Sequence, residues 1–148
     1  MLVGCLMAAL TALSIIDLEQ RLLPNRLVWP FVGCIWLAVF FLAIWHGAWV
    51  RLAVAVLITV LYTLAFFGLW TRGHLGAGDV KLLAGVLLVP AWLSLGAALV
   101  WVVASWLPVA IVGTVKPRGV TGSKPFAQAP FYAAGLLVSV AYTTMGGF

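Results

Sequence analysis

Long apolar stretches, separated by short polar segments, make up almost the whole chain. The first three stretches are residues 1–16, 27–45 and 50–70; an uncharged stretch follows over residues 82–115, and a last one begins near Phe126. A helix needs about 20 apolar residues to cross the hydrocarbon core of a bilayer. The pattern therefore predicts an all-α, polytopic membrane protein. We expect residues 1–148 to form a single integral-membrane domain with no soluble domain.

Composition excludes a water-soluble fold. Hydrophobic residues make up 66% of the chain and charged residues 7%, whereas soluble domains are about 25% charged. The net charge of +5 could indicate a nucleic-acid partner, but the basic residues are scattered rather than clustered along one face, so we expect none. Cys5 and Cys34 lie in apolar stretches without a C-x-x-C motif, which argues against a metal site.

The number of crossings depends on residues 82–115. At about 1.5 Å per residue this stretch would reach roughly 51 Å, too long for one crossing and slightly short for two. Pro90 offers a break. With two crossings, the positive-inside rule leaves only Arg51 on the outer side and puts the other basic residues in the cytoplasm: Arg21, Arg26, Arg72, Lys81, Lys116, Arg118 and Lys124. We therefore expect about six helices in the cytoplasmic (inner) membrane, with both termini outside and a short fourth helix from Asp79 to about Pro90.

All three acidic residues, Asp17, Glu19 and Asp79, fall on this cytoplasmic side. An ionisable acid at membrane depth is costly and usually faces a polar cavity, so it marks a candidate functional site. The simpler interpretation is that each acid marks a helix end in the headgroup layer. For Glu19, which is expected in a loop, that interpretation is the favoured one.

Asp17 and Asp79 occupy complementary positions. Asp79 is expected to open a helix, where the positive end of the helix dipole favours a carboxylate, and Asp17 to close one, where the dipole disfavours it. Two carboxyl groups held close together share one proton. An aspartyl protease uses such a pair, and the positions favour Asp79 as the base and Asp17 as the proton-bearing acid.

The residues around Asp79 suit a peptide substrate. Gly76 and Gly78 lack side chains, so a substrate backbone could approach closely and the loop could take positive φ angles. Lys81, one turn into the helix, either neutralises the cavity or extends to the interface, and the second is favoured.

Two segments carry a resemblance to a known family. Asp17-Leu-Glu-Gln-Arg-Leu-Leu-Pro-Asn-Arg26 resembles the D-x(5)-[IL]-P-N segment of the type IV prepilin peptidases. Gly76-Ala-Gly-Asp-Val-Lys-Leu-Leu-Ala84 resembles their G-x-G-D-V-K-L-L segment. These enzymes are GxGD-type intramembrane aspartyl proteases. A third segment, Pro125-Phe-Ala-Gln-Ala-Pro-Phe131, is similar to the family's P-F-G-P-F but has Ala-Gln-Ala in place of Gly.

The resemblance implies that Asp17 and Asp79 are the catalytic pair, with Gly76, Gly78, Lys81, Pro24 and Asn25 around them. It also implies a substrate: a membrane-anchored, pilin-like precursor, cut at the cytoplasmic membrane face between its basic leader and its apolar helix. Longer members carry a cysteine-rich insert after the first helix and N-methylate the product. This chain has no cysteine there, so we expect the short, peptidase-only form, without methyltransferase activity, metal or cofactor.

Two other classes of protein stay open from the sequence. A small proton- or cation-coupled carrier would use Asp17 and Asp79 as ion sites, but it predicts ionisable residues near the midplane and internal repeats. Neither feature is present in the sequence. A non-catalytic membrane subunit of a pilus or secretion machine is the other alternative, and the two intact aspartates argue against it.

Overall fold

The computed structural model describes residues 2–20, 25–71, 77–115 and 129–146, and the regular elements in these ranges are all helices. In chain order they are α1 (Leu2–Gln20), α2 (Asn25–His46), α3 (Trp49–Thr71), α4 (Ala77–Val86), α5 (Leu88–Leu93), α6 (Leu95–Val115) and α7 (Ala129–Thr144). The predicted all-α fold is confirmed. The first helix ends later than expected, so Asp17 and Glu19 lie in its last turns, and Glu19 is not a loop residue.

The surface of the bundle is apolar. Within the described ranges, two helices are long and apolar enough to cross a membrane, Arg26–His46 and Trp49–Gly68, and only 28% and 11% of their most apolar parts are buried. The other apolar helices found in the described ranges are shorter: Leu6–Ile16, Leu95–Pro108 and Ala129–Thr144. Large side chains such as Phe41, Leu57 and Leu64 point away from the bundle. Because soluble proteins do not expose apolar patches of this extent, the chain is a membrane protein.

Several hydroxyl side chains are satisfied within their own helices, whereas those of Thr63 and Ser105 are buried without a hydrogen-bond partner among the described residues. Ser14 donates to the carbonyl oxygen of Leu10 at 2.7 Å, and Thr59 donates to that of Ala55 at 2.8 Å. In lipid no water is available to pair with such groups. Bonding back to the preceding turn lets these residues occupy apolar helices without an unpaired hydroxyl.

A central helical segment, α4 followed by α5, forms the middle of the bundle. It packs against α2, α3, α6 and α7, and the side chains from Leu88 to Trp92 are all buried. A helix surrounded on all sides must be apolar on all sides, which explains why α4 after Lys81 and the whole of α5 carry no charge.

The chain reverses direction at Ser94, four residues later than the predicted break at Pro90. Pro90 has no N–H to donate to Val86, and this interrupts the helix between α4 and α5. The interruption is small, because Leu87 still donates to Leu83 and Ala91 to Leu87, both at 3.1 Å. Ser94 has an extended backbone (φ −168°, ψ 164°), and its hydroxyl accepts the N–H of Ala97 at 3.0 Å. Ser94 therefore caps α6. Together α4 and α5 reach about 25 Å, longer than the roughly 18 Å of a helix that ended at Pro90.

A tight turn at Gly47 and Ala48 joins α2 to α3. Gly47 has φ 61°, a left-handed conformation that glycine adopts without steric cost.

Candidate active site

Asp79 lies in the first turn of the central helical segment, as the sequence predicts. Its helix begins at Ala77, and the side chain of Asp79 is only 7% exposed. The buried polar side chains among the described residues are otherwise hydroxyls: Ser14, Thr59, Ser105 and Ser139. Burying a carboxyl group in an apolar bundle is costly, and the N-terminal end of a helix, with its free N–H groups and positive dipole, offsets part of that cost. Asp79 is therefore the strongest candidate for chemistry in the described part of the chain.

Three contacts between α2 and α4 hold the helix that carries Asp79. The ammonium nitrogen of Lys81 lies 5.7 Å from the centre of the Trp29 ring, within reach of a cation–π interaction. The indole N–H of Trp36 donates to the carbonyl oxygen of Ala84 at 3.1 Å. Gly85 lies so close to Val32 that a Cβ atom on Gly85 would be 2.8 Å from Val32 Cγ2 and 3.2 Å from its Cα.

Trp29 contacts Lys81, whereas Val32 and Trp36, further along α2, contact Gly85 and Ala84, about one turn further along α4. The helices α2 and α4 therefore run parallel and begin at the same end of the bundle. Arg51 lies at the other end of the bundle. The guanidinium carbon of Arg51, near the start of α3, lies 5.8 Å from the centre of the Trp92 ring near the end of α5. Lys81 and Arg51 therefore lie at opposite ends of the central helical segment, as the predicted charge distribution requires. The other basic residues of that prediction except Arg26 lie outside the described residues.

Asp17 lies in the last turn of α1, and its side chain is outside the described part of the structure. Gln20 ends α1 and Asn25 begins α2, so their Cα atoms are at most about 19 Å apart along the chain. The end of α1 is thereby tied to the start of α2, which lies beside the start of α4. The backbone thus puts the helix turns that carry Asp17 and Asp79 towards one end of the bundle.

The remaining predicted site residues are described only in part. Asn25 is the first residue of α2, and its side chain is outside the described residues, as are Pro24 and Gly76. Gly78 is helical, in the first turn of α4. A positive φ at Gly78, which the loop interpretation allows, does not occur: within the described ranges, only Gly47 and Gly146 have positive φ angles among the glycines.

The sequence gives little signal for the residues that position α4. From the sequence, Trp29 is interpreted as an interfacial anchor. Trp36, Val32 and Gly85 lie inside apolar stretches, where no feature of the sequence distinguishes them from their neighbours. Only the pairing of helices brings them together. In the described part of the chain, no group of three or more His, Cys, Asp or Glu residues could hold a metal ion.

Comparison with known families identifies the chain. Residues 4–117 match the type IV leader peptidase family, and the matched region covers most of α1 and all of α2 to α6, with both aspartates. Comparison with curated proteins and with solved structures gives no match. The buried acid at the start of a central helix fits a hydrolytic enzyme, and the chain belongs to the type IV leader peptidase family.

Proposed function

We propose that this peptidase is an aspartic endopeptidase that removes the basic leader from pilin-like precursors, with Asp17 and Asp79 as its catalytic pair. The observation that carries the proposal is the position of Asp79. An acid that is 7% exposed at the start of the central helix is costly to keep unless it performs chemistry. The match of residues 4–117 to a leader peptidase family supports proteolysis as that chemistry.

In the proposed reaction, a pair that holds one proton hydrolyses the peptide bond. The Asp79 carboxylate takes a proton from water, and the resulting hydroxide attacks the carbonyl carbon. The protonated Asp17 polarises the carbonyl oxygen and then gives its proton to the leaving nitrogen as the C–N bond breaks. The pair again holds one proton, now on Asp79, so one water is consumed and nothing else is required.

The proposed orientation places this end of the bundle at the cytoplasmic face, with about six crossings and both termini outside. The separation of Lys81 from Arg51 along the central helical segment supports it through the positive-inside rule. Only residues 21–24 separate α1 from α2, which leaves no room there for an added domain. This supports a peptidase without methyltransferase activity.

Co-expression with a pilin-like precursor tests the function. We expect the natural chain to shorten the precursor by its leader, and Asp17→Asn and Asp79→Asn each to leave it uncut while the enzyme still inserts into the membrane. Glu19→Gln is the matched control, since Glu19 is the third acid of the chain and has no proposed role. Normal processing by Asp79→Asn would rule out the proposed pair.

A membrane-impermeant label tests the orientation. Cysteine in place of Arg51 should react from outside the intact cell, and cysteine in place of Lys116 should react only after the membrane is opened. Labelling of both positions from the same side would contradict the six-helix topology.

A further inference from the structure

An apolar cavity of about 340 Å³ lies between α1 and α2. Val89 of α5 contributes to its lining, together with residues of the two outer helices: Leu6, Ala9, Pro30, Phe31, Cys34, Ile35, Ala38 and Val39. α1 packs chiefly against α7 and makes only marginal contact with α2, although the two helices are consecutive in the chain. The cavity is therefore a gap between neighbouring helices.

The cavity opens to the outside of the bundle. Leu6, Ile35, Val39 and Val89 are buried and form its floor, whereas Pro30 and Cys34 are exposed at its rim. Since the outer surface of the bundle is apolar, the opening faces the lipid. A ligand would enter sideways from the membrane rather than from water.

The helices that form both walls of the cavity run on towards the candidate active site. On α2, Pro30 directly follows Trp29, which contacts Lys81 close to Asp79. On α1, Asp17 follows Leu6 by about three helical turns, so the two positions share a face of the helix. A helix that lies along these walls would therefore run from the cavity towards the turns that carry the proposed catalytic pair.

We infer that this cavity is the docking groove for the apolar helix of the precursor, an inference that rests on the proposed function. A cut next to an apolar helix requires that helix to lie beside the catalytic pair. The groove has apolar walls and access from lipid, and both walls run on towards the turns that carry the proposed pair. The small side chains of Ala9, Cys34 and Ala38 let a helix backbone approach closely, as in other helix contacts in membranes.

Cys34 allows a direct test by disulfide cross-linking. The enzyme carries Asp79→Asn, so that the precursor stays uncut, and Cys5→Ser, so that Cys34 is its only cysteine. Single cysteines are placed along the apolar helix of the precursor. We expect cross-links to Cys34 centred about nine residues into that helix and repeating every three to four residues, because Cys34 lies about 13 Å from the start of α2.

The control enzyme carries its single cysteine on α3, as Leu57→Cys with Cys5→Ser and Cys34→Ser. Leu57 is exposed on the apolar surface but lies outside the groove. Equal cross-linking from Leu57→Cys and Cys34 would overturn the inference, because contact would then be unspecific. A Cys34–Cys34 disulfide between two enzyme chains in place of the precursor product would also overturn it, since a second copy would then fill the groove.

A variant with a larger side chain in the groove provides a second test. Ala38→Phe should lower the rate of precursor cleavage, relative to cleavage of a short peptide that lacks the apolar helix, by about tenfold, because overpacking an apolar site costs binding. Ala53→Phe, on the exposed surface of α3, should leave this ratio unchanged. The same ratio of precursor cleavage to short-peptide cleavage in both variants would contradict the proposed docking groove.

Failure of the groove and failure of the proposed function give different results. If Asp79→Asn still cuts the precursor, the catalytic assignment is wrong, whereas the cross-link does not require cleavage. If Asp17→Asn and Asp79→Asn leave the precursor uncut and Cys34 gives no cross-link at any position, the groove is wrong and the catalytic pair stands.

Discussion

The ammonium nitrogen of Lys81 lies 5.7 Å from the centre of the Trp29 ring. Lys81 lies two residues after Asp79, so this contact joins the beginning of α4 to the beginning of α2. Since Lys81 carries the positive charge nearest to Asp79 along the chain, the contact fixes both the direction of the central helical segment and the position of a cation near the proposed site.

The Lys81–Trp29 contact should appear as a coupling in the free energy of unfolding. In a double-mutant cycle with Lys81→Met and Trp29→Leu, measured in detergent micelles, we expect the two losses to fall short of additivity by about 0.5–1 kcal/mol. Arg51→Met is the control, because Arg51 contacts Trp92 at the other end, and its effect should add to that of Trp29→Leu. Additive losses for Lys81 and Trp29 would show that the contact does not stabilise the fold.

Gly85 should not tolerate a methyl group. In Gly85→Ala the new Cβ atom would meet Val32 Cγ2 at 2.8 Å and the Val32 backbone at 3.2 Å, so α4 would move away from α2. We expect a loss of about 1–3 kcal/mol in the free energy of unfolding, together with lower activity because Asp79 moves with its helix.

Gly33→Ala is the matched control for Gly85→Ala. Gly33 is also helical, but a Cβ atom there would have no neighbour within 4 Å. Alanine is the better helix former, so Gly33→Ala should be neutral or slightly stabilising. Equal thermal stability of the two variants would mean that the close approach of α2 and α4 does not constrain the bundle.

The hydrogen bond from Trp36 to Ala84 is expected to matter because no water replaces it in the interior of the bundle. Trp36→Phe keeps an aromatic ring but leaves the carbonyl oxygen of Ala84 without the indole donor. We expect a loss of about 1 kcal/mol in the free energy of unfolding. Trp45→Phe should have no effect, since Trp45 is 86% exposed. The same loss of unfolding free energy in Trp36→Phe and Trp45→Phe would show that the smaller ring, rather than the lost hydrogen bond, causes the effect.

The helices of the fold could largely be predicted from the sequence, and the break in the central segment only in part. Apolar stretches between polar residues locate α1, α2 and α3 to within a few residues, because the bilayer fixes how long an apolar helix must be. Pro90 predicts an interruption, which occurs, but it removes only one backbone donor, and the helix continues to Leu93. The reversal depends on Ser94, whose hydroxyl caps α6; a serine before a new apolar run is a signal that sequence reasoning could have used.

The candidate site could be predicted where a rare residue type marks it. Asp79 stands out because acids are scarce in this chain, and the structure places it at the start of a helix as expected. Its supports, Trp29, Trp36 and Gly85, could not be predicted, since tryptophan and glycine are common in apolar stretches and their pairing depends on how α2 packs against α4. Helix packing in lipid follows shape rather than a polar pattern.

The central claim is that Asp17 and Asp79 act as one catalytic unit, and single-turnover kinetics of the purified enzyme with a precursor test it most directly. Asp17→Asn and Asp79→Asn should each lower the cleavage rate by about 10⁴-fold or more, and the double variant should be no slower than the worse single variant, because residues that act together are not additive. Glu19→Gln should keep the natural rate. A single aspartate variant that retains more than about a tenth of the natural rate, or a double variant in which the two losses multiply, would contradict the account.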